Sequence, residues 1–170
     1  MDLLFHFLAN ILACVLVNHG LEMKLKFRTL ILFSIVALLI DIDHLLLYTG
    51  YSILDEGLNT SVLHNIFFLF GIVVLIYFLA SRVFLVKNEK AINISALFFI
   101  LLSGHMLFDM IFGRYGVPLF YPLTNRLYVI PRFFEISIGK RFEFPLTTRS
   151  SVAWMLYLSL IAIVIKIRKR

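Results

Sequence analysis

A single cysteine, Cys14, in 170 residues leaves no intramolecular disulfide framework to organise a fold. Charge is scarce as well: only 15% of residues are Asp, Glu, Lys or Arg, too few for the solvated surface of an ordinary soluble domain. No repeat and no low-complexity segment interrupts the chain, so one domain over 1–170 is expected. The first apolar segment has no positive n-region and no small-residue cleavage site, which argues against a removable signal peptide. No aromatic-interleaved basic stripe is present either. The formal charge of +6 and the pI near 9.6 lean on Lys166, Arg168, Lys169 and Arg170, which directly follow an apolar run. That placement reads as a cytoplasmic membrane anchor and excludes nucleic acid as the expected partner.

What the chain has is apolar surface. It is 61% hydrophobic, with a mean hydropathy of +0.96, the composition of an integral membrane protein. Apolar runs cover 1–17, 27–48, 62–81, 91–112 and 151–167. A span needs roughly 20 residues, with ~17 as the lower limit, so the middle three are long enough and the two ends are marginal. In lipid, only a helix closes the backbone hydrogen bonds of such a run within itself. The expected fold class is therefore all-α, a bundle of about five transmembrane helices. Loop charge orients it: ten of the sixteen basic residues fall on the side of the first loop, the third loop and the tail. The N-terminus is expected outside and the C-terminus in the cytoplasm of a prokaryote, with the protein in the cell (inner) membrane. The long segment 113–150 then forms an extracytoplasmic cap. Within it, Phe134, Ile136, Ile138, Phe142 and Phe144 alternate around Gly139 and Lys140, a β-hairpin signal.

Seven side chains able to bind a metal interrupt these runs: His6, Asp41, Asp43, His44, His64, His105 and Asp109. An Asp at a helix centre costs about 2.5–3.5 kcal/mol to insert, so such groups rarely persist in lipid without partners. Four of the five histidines in the chain belong to the set. With the orientation above, all seven fall in the outer half of the bilayer, a depth that scattered polar residues would have no reason to share. His19 lies at the other face, beside Lys24 and Lys26, and is left out.

The spacing carries chemistry. His105 and Asp109 stand four apart, one helical turn, and so share a face. Asp41 and His44 share another face, while Asp43 points about a quarter-turn away, towards a neighbouring helix or a second ion. His6 and His64 add imidazoles from two further helices. Imidazole and carboxylate donors without thiolates suit a divalent metal, zinc first, with manganese or iron as other fits. Seven donors exceed what one tetrahedral ion needs, so two ions with open positions are expected. Such sites activate water and polarise a phosphoryl or acyl oxygen. Against this stands a plainer reading, in which the same groups form a helix-to-helix polar clamp or a proton relay.

Three stretches, IDIDHLLLY (40–48), VLHNIFF (62–68) and GHMLFDMIFGRYGVPLFYPLTNR (104–126), resemble the YdjM-like inner-membrane family of predicted membrane-bound metal-dependent hydrolases. The resemblance covers roughly residues 1–130 and is most specific from His105 to Pro122. It implies that the same seven residues are the metal site and that Gly116, Pro118 and Pro122 shape the following loop. The chain departs from the family pattern at Ile40, where a proline is usual before the Asp. It departs again at Ser61–Asn65, where an upstream His and Arg are missing. The His-x3-Asp motif also has a distant likeness to zinc-dependent phospholipase C and P1-type nucleases, but no later His-x3-Glu follows it here.

These readings lead to an expected hydrolase that takes a phosphoester, or a lipid-derived or lipid-linked ester, at the outer leaflet. Asp43 or Asp41 would serve as the general base, with Asp43 preferred because it points away from the Asp41–His44 face. Arg114, Arg126 and Arg132 in the cap are candidates to hold a phosphate or another anion, or else to anchor lipid headgroups. The alternative is a metal-ion transporter or a metal-stabilised scaffold. A transporter should carry polar residues inward, and the inner halves of the middle spans offer only Ser34, Tyr77, Asn93 and Ser95.

Overall fold

Apolar runs that cannot leave backbone groups bare in lipid close their hydrogen bonds inside helices. Five α-helices result among the residues that the computed structural model describes, 3–41, 63–112, 116–124, 126–128 and 145–169. They are α1 (Leu3–Gly20), α2 (Phe27–Ala37), α3 (Ile66–Phe78), α4 (Asn88–Phe112) and α5 (Pro145–Arg168). A 3₁₀ turn, Leu38–Asp41, extends α2, and a π turn, Leu79–Val83, extends α3. The fold is all-α, with no strand among the described residues; a single antiparallel bridge joins Val117 to Tyr128. The hairpin expected at 133–144 lies outside the described residues.

Two stretches are long and apolar enough to cross a membrane, Ile66–Val83 and Asn88–Ile111; the apolar part of α1, Leu4–Gly20, is shorter. The expectation of about five such helices is thus met by two among the described residues. One departure is α2: at 11 residues it spans about 17 Å, short of a hydrocarbon core of about 30 Å. It stops at Ala37 because the Leu38 N–H turns to the Ile35 carbonyl, three residues back, and the chain tightens. Asp41 therefore reaches its position from a 3₁₀ turn and not from the continuous helix over 27–48. At the other end of the chain, α5 begins at Pro145, six residues before the apolar run that announces it, with proline at the first helical position where its missing N–H costs nothing.

Helix α4 lies in the middle and packs against α1, α2, α3 and α5. Its Leu97, Phe98, Ile100, Leu101 and Leu102 are all buried. Small residues set how closely the helices approach. A Cβ at Gly20 would come within 2.5 Å of the Ile165 side chain, and one at Gly104 would collide with the Tyr157 ring, so α5 seats against both α1 and α4 at glycines. Arg168 Nε and Nη2 donate to Asn93 Oδ1 at 3.0 and 2.9 Å, which ties the end of α5 to the start of α4. Together with the Gly20–Ile165 contact, this gathers the end of α1, the start of α4 and the end of α5 at one end of the bundle. The first basic loop and the basic tail share that end.

Outward faces stay apolar. Leu4, Leu8 and Leu12 of α1 and Phe67, Phe70, Val74 and Phe78 of α3 are exposed. Exposed apolar surface on this scale would be a liability in water and is the expected coat in lipid.

Candidate metal centre

Four chain segments meet at the end of the bundle opposite the basic one. His105 and Asp109 descend from the same face of α4, the i,i+4 spacing bringing Nε2 and Oδ2 to 3.1 Å. Asp41 enters from the turn after α2. His64 precedes α3, where Asn65 caps the helix by accepting the Phe68 N–H at 2.8 Å; the cap fixes where the helix begins and so where His64 stands. His6 comes from the inner face of α1, in line with the buried Asn10, Ala13 and Val17. The loop after α4 folds back over this end. Gly116 turns it at φ 84°, a conformation that favours glycine, Val117 and Pro118 are buried, and Leu119 O accepts the Ile66 N–H at 2.9 Å.

The donor atoms of Asp41, His64, His105 and Asp109 all lie within 4.8 Å of one another. His105 Nε2 is 3.0 Å from Asp41 Oδ1, and His64 Nε2 is 3.3 Å from the same oxygen. Both Nε2 atoms stand 3.1 Å from Asp109 Oδ2 and 3.1 Å from each other. A neutral imidazole has one proton to share, so His105 Nε2 cannot hydrogen-bond three such neighbours at once. Asp109 Oδ2, although buried, meets no hydrogen-bond geometry.

Five of the separations among the four donor atoms are 3.0–3.3 Å, the spacing expected of neighbouring ligands that each stand about 2 Å from a shared ion. Two nitrogens and two carboxylate oxygens form a donor set of that kind. The residues present therefore fit a divalent ion. His64 and His105 are buried, whereas the Asp41 and Asp109 side chains are 17% and 13% exposed.

The profile of the YdjM inner membrane protein family matches residues 1–170, the whole chain. The chain belongs to that family. With membership comes an inner-membrane location. No curated protein and no solved structure matches the chain.

In this family member, the sequence-derived donors divide into three groups. Asp41, His64, His105 and Asp109 form the cluster. His6 stands behind it: its Nε2 lies 3.2 Å from Asp109 Oδ1, the oxygen turned away from the other imidazoles, and its ring stacks on His105 at 3.9 Å and 19°. It is placed to aim the carboxylate and is not one of the four converging donors. Asp43 and His44, which a two-ion site would need, lie outside the described residues. So do Arg114 and Arg132. Arg126 is exposed in the loop over this end, its guanidinium 5.9 Å from the Tyr128 ring centroid. His19 is exposed at the opposite end.

Two buried polar residues of the bundle carry no clear signal in the sequence, Asn10 and Tyr157. Asn10 could have been singled out, because it sits one turn from His6 on the same face. Tyr157 reads as any aromatic residue of an apolar helix.

Proposed function

We propose that this chain is a membrane-embedded, metal-dependent hydrolase of a phosphoester or a lipid-derived ester, with its site in the outer half of the bilayer. One observation carries the reading: two imidazole nitrogens and two carboxylate oxygens converge within 4.8 Å of one another, each nitrogen 3.0–3.3 Å from both oxygens. Asp41, His64, His105 and Asp109 would hold the ion, zinc by donor set, with manganese or iron as substitutes. A divalent ion there supplies Lewis acidity toward a phosphoryl or acyl oxygen and acidifies water.

The chain's own residues supply the rest. His6 holds Asp109 Oδ1 and keeps Oδ2 on the cluster. Buried apolar neighbours, among them Phe108 and Met106, keep bulk water from the imidazole side. Asp43, two residues beyond Asp41 in the sequence, is the candidate general base. Arg126, with Arg114 and Arg132, is the candidate anion holder on the cap. About five helices would cross the membrane, with the N-terminus outside and the cap 113–150 above the outer leaflet.

The test is direct. Purified protein in detergent should contain about one divalent ion or more per chain, and metal-replete protein should hydrolyse a member of a panel of phosphomonoesters, phosphodiesters and lipid esters. A metal-replete protein inert on every ester would move the assignment to a metal-stabilised scaffold or a metal-ion transporter. The cluster's role in tying together α1, α4 and the segments beside α2 and α3 supports the scaffold as the second reading. Orientation has its own test: a membrane-impermeant thiol reagent on intact cells should label Leu123→Cys and spare Asn88→Cys, and the reverse pattern would put the site on the cytoplasmic side.

A further inference from the structure

Four buried polar atoms of α1, α4 and α5 have no hydrogen-bond partner: His6 Nδ1, His105 Nδ1, Asn10 Nδ2 and Tyr157 Oη. Their carriers are linked pairwise along α1, α4 and α5. His6 and His105 stack at 3.9 Å and both present Nε2 to Asp109, which turns both Nδ1 atoms away from the carboxylate. Asn10 follows His6 by one turn on the buried face of α1. The Tyr157 ring lies against Gly104, the residue before His105, so closely that a Cβ there would sit 2.7 Å from the phenol oxygen. Tyr157 is fully buried, as are Asn10 and both imidazoles.

The donor and acceptor capacities of these atoms are complementary. His6 Nε2 faces Asp109 Oδ1, which only accepts, so a neutral His6 carries its proton on Nε2 and offers a lone pair at Nδ1. His105 turns Nε2 to the donor cluster, and with an ion there its proton resides on Nδ1. Asn10 Nδ2 donates, and the Tyr157 hydroxyl does either. An anion could not donate to His6, and a cation could not accept from His105 or Asn10. One water molecule can do both, accepting two hydrogen bonds and donating two, within the 2–4 partners of an ordinary internal water.

We propose that His6, Asn10, His105 and Tyr157 hold one internal water behind the metal centre. Asn10 and Tyr157 are then positioning residues: through that water they hold the two stacked imidazoles in the tautomers that present Nε2–H to Asp109 and a bare Nε2 to the ion. The positioning role rests on the metal reading; the water itself does not.

Two measurements on full-length protein in detergent separate these parts. In metal-free protein, NMR should show transfer of magnetisation from water to the buried Asn10 side-chain amide. In a chelator competition with zinc, Tyr157→Phe should bind about 10- to 100-fold more weakly than wild type, the loss typical when a partner behind a ligand is removed. Asn10→Leu should behave likewise and serves as the second variant if Tyr157→Phe does not fold. Ser34→Ala, which removes a buried hydroxyl that bonds Leu30 O and Cys14 Sγ away from the cluster, should leave zinc affinity unchanged. No transfer at Asn10 overturns the water. Wild-type zinc affinity in both Tyr157→Phe and Asn10→Leu overturns the positioning role. Transfer at Asn10 in a protein that takes up no zinc supports the water and overturns the metal reading along with the positioning role.

Discussion

His105→Ala combined with Asp109→Ala is expected to abolish binding of the divalent ion and to lower the thermal midpoint in detergent by on the order of 10 °C. The two side chains supply half of the four-donor cluster from a single turn of α4. What is left, Asp41 and His64, comes from two segments with no shared helix to hold them, and two donors cannot close a tetrahedral site. Ion binding stabilises the folded state by mass action, about 4 kcal/mol when the free ion stands at 1,000 times its dissociation constant. For a chain of this size each kcal/mol moves the midpoint by about 2–4 °C. The measurement is a thermal scan with and without EDTA. Chelation should shift wild type downward and leave the double variant where it is. A clamp of His–Asp ion pairs without metal predicts the opposite, an EDTA-insensitive wild type. Wild-type protein that purifies metal-free and cannot be reloaded with zinc, manganese or iron would end the metal reading.

Asp43→Asn is expected to lower ester hydrolysis by roughly 10²–10⁴ while the protein keeps its metal, since the change preserves volume and removes basicity. Asp41→Asn should act differently. Asp41 Oδ1 is one of the four converging atoms, so its loss should weaken metal affinity first and activity with it. Metal content and turnover, measured side by side on both variants, separate the roles. Full activity in Asp43→Asn, with activity alone lost in Asp41→Asn, would exchange them. His19→Ala, exposed at the far end of the bundle, is the control that should change neither.

Much of this was readable before any fold was known, and the reason is the solvent. In a chain this apolar, an ionisable residue within a span is conspicuous, so the donors stand out one by one. His105 and Asp109 could also be paired, because helical periodicity alone puts residues four apart on one face. At Asp41 the local geometry departs from the helix read over 27–48: the α-helix ends at Ala37 and a 3₁₀ turn carries the residue. Nothing in the run LLID marks that ending, since its apolar residues suit either geometry.

The all-α class, the membrane as solvent and the pool of candidate donors follow from composition and local period alone. The tertiary structure decided which donors meet. His64 and His105 are 41 residues apart and His6 and Asp109 are 103 apart, so their contacts follow from how α1, α3 and α4 pack and from where Asn65 starts a helix. It also separated His6, which backs Asp109, from the four donors that converge, and it buried Asn10 and Tyr157 without a partner for Nδ2 and Oη. A period says which face of a helix a residue occupies. Only the close approach of helices at residues such as Gly20 and Gly104 says what that face touches.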